Sequence, residues 1–130
     1  MITLENRLQQ ARELRTRGYN CAQTLLSVFP DVSGLTPGQA EAAAMGLGAG
    51  CGCGEICGVL SALALLEGLR NHARGNSKGA AYASMRKLHD AFTTRWGACR
   101  CADLKAPGKP VPCNDLIFHG IELYHNYLEA

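Results

Sequence analysis

Apolar residues near the N-terminus recur every three or four positions, which is the spacing of one face of an α-helix. Leu4, Leu8, Ala11 and Leu14 form this apolar stripe, and charged or amide side chains occupy the other faces. Gly18 follows at a position typical of a helix C-terminal cap. The pattern therefore predicts a first amphipathic helix that ends at Gly18.

Two shorter helices are indicated by their end signals. Asn20 is a favourable N-cap for a helix over 21–29, which Pro30 is expected to stop. Thr36 followed by Pro37 is a typical helix start, and an alanine-rich helix is predicted from there to about Gly46.

The middle of the chain combines a glycine-rich loop with a strongly apolar segment. Glycine occupies every second position from 46 to 54, which disfavours a helix because glycine has a high backbone entropy when unfolded. A helix is predicted from Glu55 to about Arg70, and it is apolar on nearly every face, as expected of a buried central helix. Gly58 and Ala62 lie four residues apart, so another helix can approach this one closely.

The C-terminal half continues the helical pattern. Ser77 is a plausible cap for a long helix over 78–96, the segment 97–112 is predicted to be irregular, and a last helix is predicted from about Asn114. No stretch alternates with the period of a β-strand. We therefore predict one all-α domain over residues 1–130, a compact helical bundle of about five to six helices in which a Gly/Cys-rich loop leads into a buried central helix.

Composition narrows the classes of function. The 130-residue chain has a net charge of +2 and only 6% aromatic residues, which argues against nucleic acid as a partner. Its longest apolar run, 59–66, is too short to span a membrane, and the N-terminus shows no secretory signal pattern. We expect a cytoplasmic protein with no membrane association, and the apolar central helix would accommodate a homodimer.

The seven cysteines are the main chemical feature of the sequence. Seven is an odd number, and many cysteines in a cytoplasmic protein more often indicate metal binding or redox chemistry than structural disulfides. The short turn before the long helix predicts that it runs antiparallel to the central helix. Following the connections in this way gathers all the thiols at one pole of the bundle: Cys21, Cys51, Cys53, Cys57, Cys99, Cys101 and Cys113.

Three of these cysteines are predicted to lie at helix N-termini, where free N–H groups and the helix dipole stabilise an anion. They are Cys21, Cys57 and Cys113. A thiol in such a place is expected to have a lowered pKa, and the thiolate is both the nucleophile and the metal ligand. The sequence therefore predicts reactive or metal-binding thiols at these positions.

A second feature is the glycine flanking of the loop cysteines. Gly52 and Gly54 alternate with Cys51 and Cys53, so backbone N–H groups can approach sulfur there. Hydrogen bonds to sulfur are one means by which proteins tune iron–sulfur potentials. With Cys99, these loop residues are candidates for binding a cofactor.

Three sequence blocks resemble the C_GCAxxG_C_C family, whose members are described as redox-active. The blocks are Gly18-Tyr-Asn-Cys-Ala-Gln23, Gly54-Glu-Ile-Cys-Gly58 and Gly97-Ala-Cys-Arg-Cys-Ala-Asp-Leu104. The resemblance places the four family cysteines at Cys21, Cys57, Cys101 and Cys113. It implies that these four carry the redox chemistry or bind a metal.

The chain departs from the family pattern at several positions. The motif Cys-Gly-Ala-x-x-Gly has Val59 and Ala62 where the family has smaller residues. Cys51, Cys53 and Cys99 are additional to the four family cysteines. The family description also names no substrate.

Several chemistries suit such a set of thiols. Four converging thiolates could hold an iron–sulfur cluster or Zn, and four thiols could equally form two dithiol/disulfide pairs that exchange electrons with a redox partner protein. The cysteine spacings match neither a zinc ribbon nor the common ferredoxin patterns. There are two alternatives: the chain is a metal-binding protein without redox turnover, or it is an interaction module whose thiols are incidental.

Overall fold

The computed structural model describes residues 1–130 as an all-α protein. The prediction of an all-α fold is confirmed, and six of its eight helices have seven residues or more. The only extended pairing is an isolated antiparallel bridge between Ile56 and Arg100. The helices are α1 (Leu4–Thr16), α2 (Cys21–Ser27), α3 (Pro30–Ser33), α4 (Pro37–Ala44), α5 (Gly58–Ala73), α6 (Lys78–Trp96), α7 (Cys101–Leu104) and α8 (Cys113–Glu129).

Local signals explain where most helices begin and end. Gly18 follows α1 at a φ of +90°, which a residue with a side chain rarely adopts. Asn20 caps α2 by accepting a hydrogen bond from the Gln23 backbone N–H at 2.8 Å. Thr36 and Ser77 cap α4 and α6 in the same way, as the sequence predicts.

The structure differs from the sequence prediction in two connecting segments. The second helix ends at Ser27 instead of Phe29, because Pro30 begins the short helix α3 rather than only stopping the helix before it. The segment 97–112 is not wholly irregular, since it contains the one-turn helix α7.

The central helix begins at Gly58, three residues later than predicted. Residues 55–57 are extended and lie beside residues 99–101, with hydrogen bonds from the Cys57 N–H to the Cys99 oxygen (2.9 Å) and from the Cys101 N–H to the Glu55 oxygen (2.7 Å). These backbone groups find partners in the distant segment, so they do not need the first turn of a helix. Cys57 is therefore the N-cap residue of α5.

Helix α5 forms the centre of the molecule, as predicted, and packs against α2, α6 and α8. The prediction that Gly58 and Ala62 allow a close approach is borne out at Gly58, where a Cβ would lie 3.3 Å from the Ala22 side chain of α2. Its buried residues are Gly58, Val59, Leu60, Ala62, Leu63, Leu66, Glu67 and Asn71. No helix combines the length and the apolar character needed to cross a bilayer.

Candidate functional site

Four cysteines lie at the starts of four different helices. Cys21, Cys101 and Cys113 are the first residues of α2, α7 and α8, and Cys57 directly precedes α5. The backbone pairing of residues 55–57 with residues 99–101 joins the start of α5 to the start of α7. The end of the long helix therefore returns to the start of the central helix, as the predicted antiparallel arrangement requires.

The same four thiols influence one another electrostatically. Charge on Cys113 and on Cys101 raises the pKa of Cys21. Charge on Cys21 and on Cys101 raises the pKa of Cys57. Cys21 is thus coupled to all three of the others, and we call these residues, Cys21, Cys57, Cys101 and Cys113, the four-cysteine cluster.

Burial dominates the chemistry of Cys57. Its side chain is 4% exposed, and loss of hydration raises the pKa of the thiol to about 12. The backbone N–H groups of Val59 and Leu60 at the start of α5 lower the pKa, but by less than burial raises it. The lowered pKa that the sequence predicts at this helix N-terminus is therefore wrong for Cys57.

The prediction of a lowered pKa is also wrong for Cys21. Burial again raises the pKa of the thiol most, and the N–H groups of Ala49 and Ala22 oppose this effect only in part. Both helix positions were predicted correctly, but the sequence did not show how much protein covers the sulfur atoms. In a poorly hydrated site the uncharged thiol is favoured over the thiolate.

The other three cysteines differ from the cluster in exposure and contacts. Cys51 and Cys53 are exposed, and the Cys53 thiol donates a hydrogen bond to the Gly50 oxygen at 3.5 Å. Cys99 is half-buried and joins the site through its backbone oxygen, which accepts from the Cys57 N–H. The structure thus couples four thiols and leaves Cys51 and Cys53 exposed, on a turn that is joined through Glu55 to the backbone of Cys101.

Gly52 and Gly54 lie in the turn that carries the exposed cysteines. Their φ angles are +74° and +77°, so their contribution is to let the chain reverse direction there. The N–H groups that face the Cys21 and Cys57 sulfur atoms come from other residues: Ala22, Ala49, Val59 and Leu60.

None of the seven cysteines is joined in a disulfide. No group of three or more histidine, cysteine, aspartate or glutamate side chains is arranged to hold a metal ion. The donor type suits thiophilic metals, but binding one ion requires the thiols to move closer together.

Gly58 shapes the site and was not among the predicted site residues. A Cβ on Gly58 would lie 2.5 Å from the Cys21 sulfur and 3.0 Å from the Leu47 oxygen. The absence of a side chain at Gly58 therefore makes room for the Cys21 thiol between α2 and α5. The position of Gly58 directly after Cys57 was the feature of the sequence that could have indicated this role.

We expect Gly58→Ala to disturb the cluster directly. The new methyl group must displace the Cys21 sulfur, so the free energy of unfolding should fall by about 1–3 kcal/mol and alkylation of Cys21 should become faster. Gly68→Ala is the matched control, because Gly68 lies in the same helix with open space around its Cβ position. That variant should be stabilised by about 0.5–1 kcal/mol. Equal thermal shifts for the two variants would contradict the assignment.

A comparison with protein families shows which family the chain belongs to. Residues 19–127 match the family C_GCAxxG_C_C, described as "Putative redox-active protein". The chain belongs to this family. The matched segment contains the entire four-cysteine cluster. The family description states that its members are redox-active. No curated protein and no solved structure matches the chain significantly.

Proposed function

We propose that the chain is a thiol-based redox protein whose four-cysteine cluster cycles between dithiol and disulfide forms. The observation that carries this proposal is the meeting of thiols from separate parts of the chain: the Cys21 sulfur lies against Gly58, and the segment that ends at Cys57 pairs with the segment that leads to Cys101. The electrostatic coupling of Cys21 to the three other cluster thiols agrees with this arrangement. Following these couplings, all four thiols can pair as Cys21 with Cys113 and Cys57 with Cys101. The cluster would then hold up to two disulfides.

The burial of Cys57 and the partial burial of Cys21, Cys101 and Cys113 favour this chemistry. A dithiol and a disulfide are both uncharged, so neither form carries the cost of burying an ion. Oxidation of one pair removes two electrons and two protons and forms one S–S bond. The electrons pass to the disulfide of a redox partner protein, which takes up the protons and becomes a dithiol.

The raised pKa of Cys57 predicts a pH-dependent reduction potential. Because burial raises the pKa of Cys57 to about 12, reduction of its disulfide places a proton on this sulfur at neutral pH. This proton alone changes the equilibrium constant tenfold per pH unit, so the potential should fall by at least about 30 mV per unit between about pH 6 and 8. Titration of the whole protein against a dithiol buffer, read by thiol alkylation and mass, measures this slope.

An iron–sulfur cluster bound by the same four cysteines is the second candidate. It is favoured by the backbone N–H groups that face the Cys21 and Cys57 sulfur atoms, because such groups stabilise thiolates more than neutral thiols. When bound, an iron–sulfur cluster supplies one-electron transfer. Cys21, Cys57, Cys101 and Cys113 would hold it, and the surrounding apolar residues would limit contact with water.

The pH series and elemental analysis separate the two candidates. A bound cluster predicts stoichiometric iron and sulfide in anaerobically purified protein, visible absorption, and a potential with little pH dependence. The dithiol proposal predicts a colourless protein without iron, and the pH-dependent potential. Zinc with no redox turnover, and loss of helicity on chelation, would instead support a structural or trafficking metal site.

A further inference from the structure

Two exposed cysteines outside the four-cysteine cluster lie on one tight turn. Cys51 and Cys53 are the exposed members of the seven, whereas Cys57 is buried. A disulfide on another protein cannot reach a sulfur that is only 4% exposed without opening the fold. If the cluster exchanges electrons with disulfides, as proposed above, an accessible pair of thiols would make the contact.

The turn folds the backbone of these two exposed residues back on itself. Residues 49–52 all have left-handed φ angles, at +54°, +61°, +58° and +74°. The Glu55 N–H closes the turn by bonding to the Gly50 oxygen at 3.0 Å. Cys51 and Cys53 are two residues apart, and consecutive Cα atoms are about 3.8 Å apart. When the chain folds back in such a turn, the distance between the two cysteine Cα atoms suits a disulfide, in which the Cα atoms are about 4.4–6.8 Å apart.

The turn also lies against the part of the chain that begins with Cys101. A Cβ on Gly54 would lie 3.2 Å from the Ala102 side chain. The adjacent Glu55 oxygen accepts the Cys101 N–H at 2.7 Å. Cys101 is therefore the cluster member whose backbone is tied to the surface turn.

We propose that Cys51 and Cys53 form a surface exchange pair that takes disulfides as substrates and passes oxidation on to the four-cysteine cluster. Cys51 is the attacking residue, because the Cys53 thiol is held by its hydrogen bond to the Gly50 oxygen. The Cys51 thiolate attacks one sulfur of the incoming disulfide, whose other sulfur leaves as a thiolate. A mixed disulfide results.

The second step resolves this intermediate. Cys53 gives its proton to the departed thiolate and attacks the Cys51 sulfur, which forms the Cys51–Cys53 disulfide and releases the second substrate sulfur as a thiolate. Two electrons have then passed from the surface pair to the substrate. The same exchange with Cys101 and Cys57 restores the surface dithiol and leaves one disulfide in the cluster.

Single variants of the prereduced full chain test the order of these steps. With glutathione disulfide or insulin as the substrate, Cys53→Ser should accumulate a mixed disulfide at Cys51, located by mass spectrometry of peptides. Cys51→Ser should slow the exchange at least about tenfold, because the remaining thiols are less accessible. Comparing the rates with glutathione disulfide and with insulin shows whether the surface pair reacts with a small disulfide or with a protein disulfide.

A separate measurement keeps the two proposals apart. In the Cys51→Ser/Cys53→Ser variant, slow equilibration with dithiothreitol should give the wild-type potential for the cluster. Unchanged exchange rates in Cys51→Ser, with the substrate captured at Cys99 or Cys101, would overturn the surface pair and leave the cluster proposal intact. If the cluster does not titrate but Cys51 still forms the mixed disulfide, the cluster proposal fails and the surface pair remains as an exchange site.

Discussion

The Cys21→Ala/Cys57→Ala double variant loses both two-electron steps of the four-cysteine cluster, whereas each single variant keeps one. Removing Cys21 leaves Cys57 and Cys101 as a coupled pair, and removing Cys57 leaves Cys21 and Cys113. Removing both residues takes one thiol from each proposed pair. The electron capacity should therefore fall from four to two and then to none, counting two electrons per disulfide.

The measurement is the number of alkylated thiols before and after mild oxidation. It should be made in a background that carries Cys51→Ser and Cys53→Ser, so that the surface thiols do not contribute. Alanine is preferred over serine because it removes the thiol without placing a new hydroxyl group at a side chain that is only 4% exposed. Circular dichroism shows whether each variant retains its helices.

Cys99→Ser is the matched control for these variants. Cys99 is half-buried and contributes its backbone oxygen, which serine retains, so both two-electron steps should persist. Complete loss of redox activity in Cys21→Ala alone would contradict the proposal that the two thiol pairs react independently of each other. That result would support a bound cluster or metal ion, because one missing ligand can release the whole group.

The second large effect concerns the packing of α8 against α5. A Cβ on Gly120 would lie 2.5 Å from the Val59 Cγ1 atom and 3.1 Å from a Leu25 methyl group. Val59 is one of the two positions at which the chain has a larger residue than the family motif, which has alanine there. The missing side chain at Gly120 therefore provides the space that Val59 occupies.

Gly120→Ala should lower the free energy of unfolding by about 2 kcal/mol, although alanine is the better helix former, because the clash lies in a closely packed interior. Val59→Ala alone should also be destabilising, since it removes two buried methyl groups. The double variant should lose at least about 1 kcal/mol less than the sum of the single variants. Urea unfolding of the four proteins gives this coupling, and strict additivity would contradict the packing relationship.

Much of the fold could be predicted from local signals. Asn20, Thr36 and Ser77 cap their helices because a side chain accepts from a backbone N–H only two or three residues away. The central helix was recognisable because it is apolar on most faces. The start of that helix at Gly58 was not predictable, since residues 55–57 are held extended by hydrogen bonds to residues 99–101.

The candidate site was predicted in part. The family resemblance selected the same four cysteines that are electrostatically coupled in the structure, and the antiparallel helices gave the physical reason for their meeting. The direction of the thiol pKa was wrong because the helix N-terminus is a local effect, whereas burial depends on every neighbouring segment. The exposure of Cys51 and Cys53 likewise depends on the tertiary structure, in which they lie on a left-handed turn at residues 49–52.

The sequence by itself determined the six longer helices, three of their caps and the membership of the thiols in a redox-active family, since these depend on short-range periodicity and motif spacing. The tertiary structure alone decided which thiols are buried, which are exposed, and that Gly58 and Gly120 make room for Cys21 and Val59. The reason is physical: hydration and packing at an atom are set by residues distant in the chain, and no local pattern records their positions.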